Sequence, residues 1–306
     1  MAAKQVKGVF FIVGPTAVGK SEIAAEVAGA VGAEIVSADA FQIYRELELL
    51  TAAPDAALLA RVPHHLIGAV SPTEEMNAEK FRVSAQEAID AIRARGKQVI
   101  VVGGSGLYVQ ALTHGLSPLP SGSPALRAQL DQCTARELFV RLQRLDPATA
   151  ETIDRHNKRR LQRALEICLQ TGAPASEQRR RSATASEADG VLLFRDREEL
   201  YQRINSRVEM MFASGVVDEV RRLAETSSTA AKTLGLHEIR ELIAGGISQA
   251  ECVAAMQQAT RRYAKRQLTW FRRQTTFEPL NISLEGSSKA VEWIARKARL
   301  CLGAAG

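Results

Sequence analysis

A chain of 306 residues, 46% hydrophobic and 24% charged, can bury a substantial core as one large or two smaller domains. It holds no apolar run near the ~20 residues that a bilayer-spanning helix needs, and residues 1–8 lack a signal-peptide core. Membrane and secreted proteins are therefore disfavoured, and a cytoplasmic protein with no membrane partner is expected. Charge is uneven: residues 1–115 hold 10 Lys and Arg against 12 Asp and Glu, the remainder 30 against 22. A polyanion bound away from the N-terminal part would account for that split; a solubilising surface bias would too.

The first element is the apolar run Val9–Val13, β-branched and aromatic, which reads as a buried strand. It leads into Gly14-Pro15-Thr16-Ala17-Val18-Gly19-Lys20-Ser21, a fit to G-x-x-x-x-G-K-[ST] at every fixed position, and then into a helix over Glu22–Val31. Strand, glycine loop and helix together make a cradle for a diphosphate or polyphosphate. Backbone N–H groups point inward, the helix N-terminus and Lys20 add positive charge, and the Ser21 hydroxyl can reach a magnesium ion.

A second strand, Ala33–Ser37, ends at Asp39. A loop containing Pro54, Pro63 and Pro72 follows, with a short helix near Ala56–Ala60; His64 and His65 fall in this loop. Glu79–Arg95 is an amphipathic helix with Phe81, Ala85, Ala88, Ile89 and Ile92 on one face, and Gly96 ends it. Val99–Val102 is a third strand, turned by Gly103-Gly104-Ser105-Gly106 into a helix over Leu107–Thr113. Alternation of strand and helix predicts a parallel sheet with helices on both faces, which binds ligands at the carboxyl ends of its strands. That edge collects Gly14–Ser21, Asp39 and Ser105.

The composition then changes. Ser117–Pro124 reads as a linker, and Ala125–Thr171 as helical with a break at Asp146-Pro147. Gly172–Gly190 is polar and contains Arg179-Arg180-Arg181. Strand character returns at Val191–Phe194, followed by helices over Glu198–Phe212, Val216–Ala224, Glu251–Arg273 and Ala290–Leu302. The expected division is a catalytic core at 1–116, an inserted helical domain at 117–182, and the rest of the core with basic C-terminal helices at 183–306. The four cysteines form no C-x-x-C pair and the five histidines no zinc spacing, as expected of reduced thiols in the cytosol.

The chemistry follows from strand ends. A P-loop ATPase holds magnesium with an acid after a second apolar strand, but here Val99–Val102 runs into glycines. Asp39 is the only acid that ends a strand, so it is either a magnesium ligand or a general base; alone it would read as a helix cap or surface acid. Gln42 could read a base edge, and Ser105 could meet an oxyanion or cap a helix. Arg159 and Arg163 lie four apart in the dense run Arg155–Arg163. Arg261, Arg262, Lys265, Arg266, Arg272 and Arg273 surround Tyr263, Trp270 and Phe271. Cations as a group suit single-stranded RNA, whereas Trp270 and Phe271 read as inward-packed.

Together these residues resemble the tRNA dimethylallyltransferase (isopentenyltransferase) family. The resemblance rests on the Gly14–Ser21 loop, Ser37-Ala38-Asp39 with Gln42 and Tyr44, and Val62-Pro63-His64-His65-Leu66. It continues through Val102–Tyr108, Arg159–Glu166 and Ala264–Arg272, and so spans most of the chain. It implies an inserted helical tRNA-binding domain on a P-loop core. It also implies transfer of the five-carbon group of dimethylallyl diphosphate to N6 of the adenosine beside the anticodon (adenosine 37), with release of diphosphate.

On that resemblance Gly14, Pro15, Thr16, Ala17, Val18, Gly19, Lys20 and Ser21 hold the diphosphate with Mg2+, although loops of this kind also bind nucleotides such as ATP. Asp39 accepts the N6 proton, Ser105 helps hold the diphosphate or nucleotide, and Arg203 and Arg207 lie near the diphosphate. The anticodon stem-loop of tRNA meets Asp39, Ala40, Phe41, Gln42, Ser105, Arg127, Arg159, Arg160, Leu161, Gln162 and Arg163. The flipped base is read out of its stack. A monomer is expected. The chain departs from the family at Ala40, Ala53, Ser105 and Leu234–His237, and carries no zinc finger of the eukaryotic kind. Rival readings are a small-molecule kinase, an RNA-binding switch protein, and a prenyltransferase acting on free AMP.

Overall fold

The structure, a computed structural model, describes residues 8–116, 119, 120, 122–180 and 188–303. Residues 1–7, linker residues 117, 118 and 121, Arg181, and the expected boundary at 182–183 lie outside the described residues. The chain forms two compact units, Met1–Thr113 with Glu187–Gly306, and His114–Ser186.

In chain order the first unit opens with β1 (Val9–Val13), α1 (Lys20–Val31), β2 (Ala33–Ser37), α2 (Glu48–Thr51) and α3 (Ala56–Arg61). It continues through β3 (His64–His65), α4 (Ala78–Ala94), β4 (Gln98–Gly103) and α5 (Gly106–Thr113). The second unit holds α6 (Pro124–Asp131), α7 (Ala135–Leu145), α8 (Pro147–Thr152), α9 (Lys158–Thr171) and α10 (Ala175–Arg180). The first unit resumes with β5 (Asp189–Phe194), α11 (Arg197–Ala213), α12 (Val216–Arg222) and a 3-10 turn at Ala230–Lys232. Then come α13 (Leu236–Ile243), α14 (Gln249–Gln274), β6 (Glu278–Asn281), α15 (Ile282–Glu285) and α16 (Ser287–Gly303).

The six strands form one parallel sheet in the order β3-β2-β4-β1-β5-β6. The strand period of two divides its residues between two cores. Val9, Phe11, Val13, Val99, Val101 and Leu192 face α4, α5, α12, α13 and α14. Phe10, Ile12, Ile100, Val102, Val191 and Leu193 face α1, α11 and α16. Burial on both faces is why the central strands read as continuous apolar runs. No helix among the described residues is long and apolar enough to cross a membrane.

Several elements differ from the expectations. His64 and His65 form β3 on the sheet edge, a strand too short to carry a period. Glu278-Pro279-Leu280-Asn281 pairs with β5 on the other edge, where a proline is tolerated. The stretch expected as one interrupted helix over Ala125–Thr171 is four helices. Thr134 and Glu137 close a capping box that starts α7, Pro147 stands first in α8, and Asn157 caps α9. Part of the polar stretch after Gly172 folds as α10, because the fully buried Asp146 carboxylate accepts both Ser176 N and Ser176 Oγ at 2.8 Å. Leu130, Leu138, Leu142, Leu161, Leu165 and Ile167 make the core of this second unit.

Candidate active site

The carboxyl ends of β1, β2 and β4 open onto one cleft, lined among others by Thr16, Lys20, Ser21, Asp39, Gln42, His64 and Arg207. Gly19 adopts φ 97°, which a side chain would strain, and its carbonyl accepts the Ile23 N–H as α1 begins. Ala17 also stands in the left-handed region at φ 65°, a cost of about 1–2 kcal/mol for a residue with a Cβ. The Arg203 Nε–H donates to its carbonyl at 2.8 Å and helps hold that turn.

Cations converge on this loop. Lys20 Nζ donates to the Pro15 carbonyl at 2.8 Å, and burial lowers its pKa to about 8. Arg207 Nη1 donates to Thr16 Oγ1 at 3.1 Å; burial, with Arg203 nearby, lowers its pKa as well. Arg195, one residue past β5, was missed in the sequence. Its Nε donates to the Val18 carbonyl at 2.9 Å, and its Nη1 meets Glu199 Oε1 at 2.5 Å. The Nη2 atoms of Arg195 and Arg203 each lie 3.7 Å from where a Cβ on Gly19 would stand. Three guanidiniums and an ammonium around one glycine loop suit a multiply charged anion.

Asp39 faces the same cleft from the end of β2. Its Oδ1 accepts the Phe41 N–H at 3.0 Å and the Gln42 N–H at 3.4 Å, so the carboxylate caps its own turn. Ser105 Oγ accepts the Ala40 N–H at 2.8 Å, and its own N–H donates to the Ala38 carbonyl at 3.2 Å. The structure thus joins Asp39, Ala40 and Ser105. Gln42 Nε2 donates to the carbonyls of Thr51 and Ala52 at 3.4 and 3.1 Å. The Phe41 ring lies 5.9 Å from that of Tyr263, whose pKa is raised by burial and by Asp39.

Two further residues escaped the sequence reading. Gln267 lies in α14 among residues quoted for RNA binding, yet its amide is buried against the glycine turns. His64 lines the cleft with Nδ1 on the Val62 carbonyl at 2.8 Å, and burial lowers its pKa.

Among the described residues no group of three or more His, Cys, Asp or Glu side chains could hold a metal. Ser21 and Asp39 line the cleft together. The Ser21 hydroxyl is an oxygen donor of the kind Mg2+ takes, and it would hold the ion alongside the diphosphate.

In the second unit the expected cations divide into two kinds. Arg159 and Arg160 are exposed. Arg127 and Arg163 instead grip Glu166, which is 1% exposed: Arg127 Nε at 2.6 Å and Arg163 Nη1 at 3.1 Å. Arg163 Nη2 also donates to the Pro120 carbonyl at 2.8 Å. Gln162 Nε2 donates to Asp131 Oδ1 at 2.5 Å. The Leu161 side chain is fully buried among Leu130, Leu138 and Leu165, which leaves its backbone as the part that could meet RNA.

The family model described as IPP transferase matches residues 42–274. The tRNA dimethylallyltransferase of Akkermansia muciniphila is 43% identical over 281 residues, covering 92% of this chain and 96% of that protein. A solved tRNA delta(2)-isopentenylpyrophosphate transferase from Staphylococcus epidermidis superposes with TM-score 0.70 at 30% identity, covering 95% of this chain and 98% of its own. A eukaryotic dimethylallyltransferase, solved in snapshots of its action on tRNA, gives TM-score 0.78 at 26% identity, covering 93% and 78%. The matched span begins after the Gly14–Ser21 loop, so the cradle stands on its own geometry. Given a match over most of its length and a relative this similar from end to end, the chain belongs to the IPP transferase family.

Proposed function

We propose that this protein transfers a dimethylallyl group from dimethylallyl diphosphate to the N6 amine of the adenosine beside the anticodon of tRNA. The observation that carries this reading is the single cleft in which the Gly14–Ser21 cradle and Asp39 meet. An anion site and an acid–base group at one strand edge suit displacement of diphosphate by a weak nucleophile.

The chain's residues divide that work. Lys20, Arg203 and Arg207 hold the diphosphate oxygens, with the loop N–H groups around them. As the amine attacks, the carbon–nitrogen bond forms and the carbon–oxygen bond breaks, its electron pair leaving with diphosphate. The N6 proton passes to Asp39, whose Oδ1 is held by Phe41 and Gln42 N–H groups, so Oδ2 takes it. Ser105 and the Ala40–Gln42 turn place the base. Ser21 fits the coordination of Mg2+, whose chemistry there would be to neutralise charge on the departing diphosphate.

The helical unit binds the anticodon arm through Arg159 and Arg160, and its Arg127–Glu166–Arg163 cluster shapes that surface. We take the protein to act in the cytoplasm and as a monomer. Incubation with labelled dimethylallyl diphosphate and unmodified tRNA, reading label on N6 of adenosine, tests the proposal. ATP turnover without tRNA would favour a kinase instead; tRNA binding with no label transfer would favour an RNA-binding switch.

A further inference from the structure

We infer that Gln267 is a positioning residue that sets the distance between the diphosphate cradle and the turn carrying the acceptor-side groups. It lies in the long helix α14 between Ala264 and Phe271, both buried, and is itself 5% exposed. A primary amide in such a place costs free energy unless both its ends are bonded. Both are. Oε1 accepts the Thr16 N–H at 2.9 Å, and Nε2 donates to the Gly104 carbonyl at 2.9 Å.

The two partners belong to different halves of the site. Thr16 is in the cradle, and its hydroxyl accepts from Arg207. Gly104 precedes Ser105, whose hydroxyl accepts from Ala40 N, the residue after Asp39. One side chain therefore joins the loop that holds the leaving group to the turn that positions the base. The backbone is shaped for it: a Cβ on Gly104 would come 2.3 Å from Gln267 Nε2. Asn would fall a methylene short. Glu would keep the acceptor for Thr16 but turn a second acceptor toward the Gly104 carbonyl.

Displacement at carbon depends on the alignment of attacking and leaving atoms, and a 1 Å error can cost about 10²-fold. Gln267 acts through that alignment without touching substrate. The assignment rests on the dimethylallyl-transfer reading. Gln267→Met keeps the volume and removes both hydrogen bonds; Gln267→Glu keeps one and makes the other depend on protonation.

For Gln267→Met, kcat should fall by about 10–10²-fold while KM for tRNA stays within about twofold. For Gln267→Glu, kcat relative to the parent should climb as pH falls from 8 to 6, because a protonated carboxyl regains the donor to Gly104. Parental kcat in Gln267→Met with only Tm lowered would overturn the assignment, as would a pH-independent ratio for Gln267→Glu. Should Gln267→Met fold poorly, the Glu ratio stands as the independent reading. A parent enzyme that transfers no prenyl group would sink the functional reading instead. The assignment would then be judged by calorimetry with inorganic diphosphate: Gln267→Met should weaken binding, and equal affinity would overturn it.

Discussion

Arg127 and Glu166 form a two-pronged ion pair, Nε to Oε1 at 2.6 Å and Nη2 to Oε2 at 3.4 Å, with the carboxylate almost fully buried. The arginine side chain is 54% exposed and Arg163 supplies a second partner, so removing Arg127 does not strand a bare buried charge. Arg127→Ala should therefore cost about 1–2 kcal/mol, the lower range for a charge-assisted bond. The loss should appear as faster hydrogen exchange in α6 and α9, with β1 and β4 unchanged. Unaltered exchange in α6 and α9 would mean the pair contributes nothing to the fold.

Arg159 and Arg160 differ because they are exposed at the start of α9. If each meets a phosphate, the double change to Ala should lower the log–log salt slope of tRNA binding by roughly 1–2 units, with diphosphate affinity unchanged. Arg163→Ala should act mainly on stability, through Glu166 and Pro120. A slope unaffected by the double change would leave the two arginines as a solvated face.

The contrast shows what was legible in the sequence. β1, β2, β4 and β5 could be read because strands buried on both faces show as apolar runs of Val, Ile, Leu and Phe, short as the one in β2 is. β3 and β6 could not, because edge strands this short have no period. Asp39 and Ser105 were picked out by asking what stands at strand ends, and the structure joins them through the Ala40 N–H. The same question put to β5 would have found Arg195. The burial of the Leu161 side chain was legible too, because Leu161, Ala164, Leu165 and Cys168 show the i, i+3, i+4, i+7 spacing of a packed face. Gln267 gave no local signal. Its partners stand 251 and 163 positions away, and only the assembled sheet brings them together.

Lys20 gives a pH prediction. Burial lowers its pKa to about 8 and Arg207 works the same way, while Asp39 and Glu22 oppose them. The folded protein therefore binds fewer protons than the unfolded chain between about 8 and 10.5. Lys20 thus costs stability below that window, and the cost is lifted as pH rises through it. Diphosphate prefers the charged form, so affinity should fall as pH rises past about 8, with proton uptake on binding in that range. Calorimetry in buffers of different ionisation heat would read it. Lys20→Ala should abolish the uptake and weaken diphosphate binding by roughly 2–4 kcal/mol, with tRNA affinity little changed. Uptake that persists in the variant would assign the proton elsewhere.

Asp39 carries the last prediction. The exocyclic amine of adenine is a poor nucleophile because its lone pair is delocalised into the ring. It becomes acidic as it bonds to carbon, so a carboxylate within reach lowers the barrier by taking the proton. Asp39 stands in the cleft with Lys20 and Ser21, and Phe41 and Gln42 fix one of its oxygens. Asn keeps that turn, because its side-chain carbonyl can accept the same N–H groups, but its amide cannot accept the proton. Asp39→Asn should therefore lower kcat by ~10²–10⁴-fold, the usual weight of a general base. The affinities for tRNA and dimethylallyl diphosphate should hold. A metal ligand would behave differently: loss of its charge would raise the magnesium needed for half-maximal rate, and excess magnesium would restore kcat. Titrating magnesium against kcat in the variant separates the two, and recovery of the parental rate would move Asp39 from base to ligand.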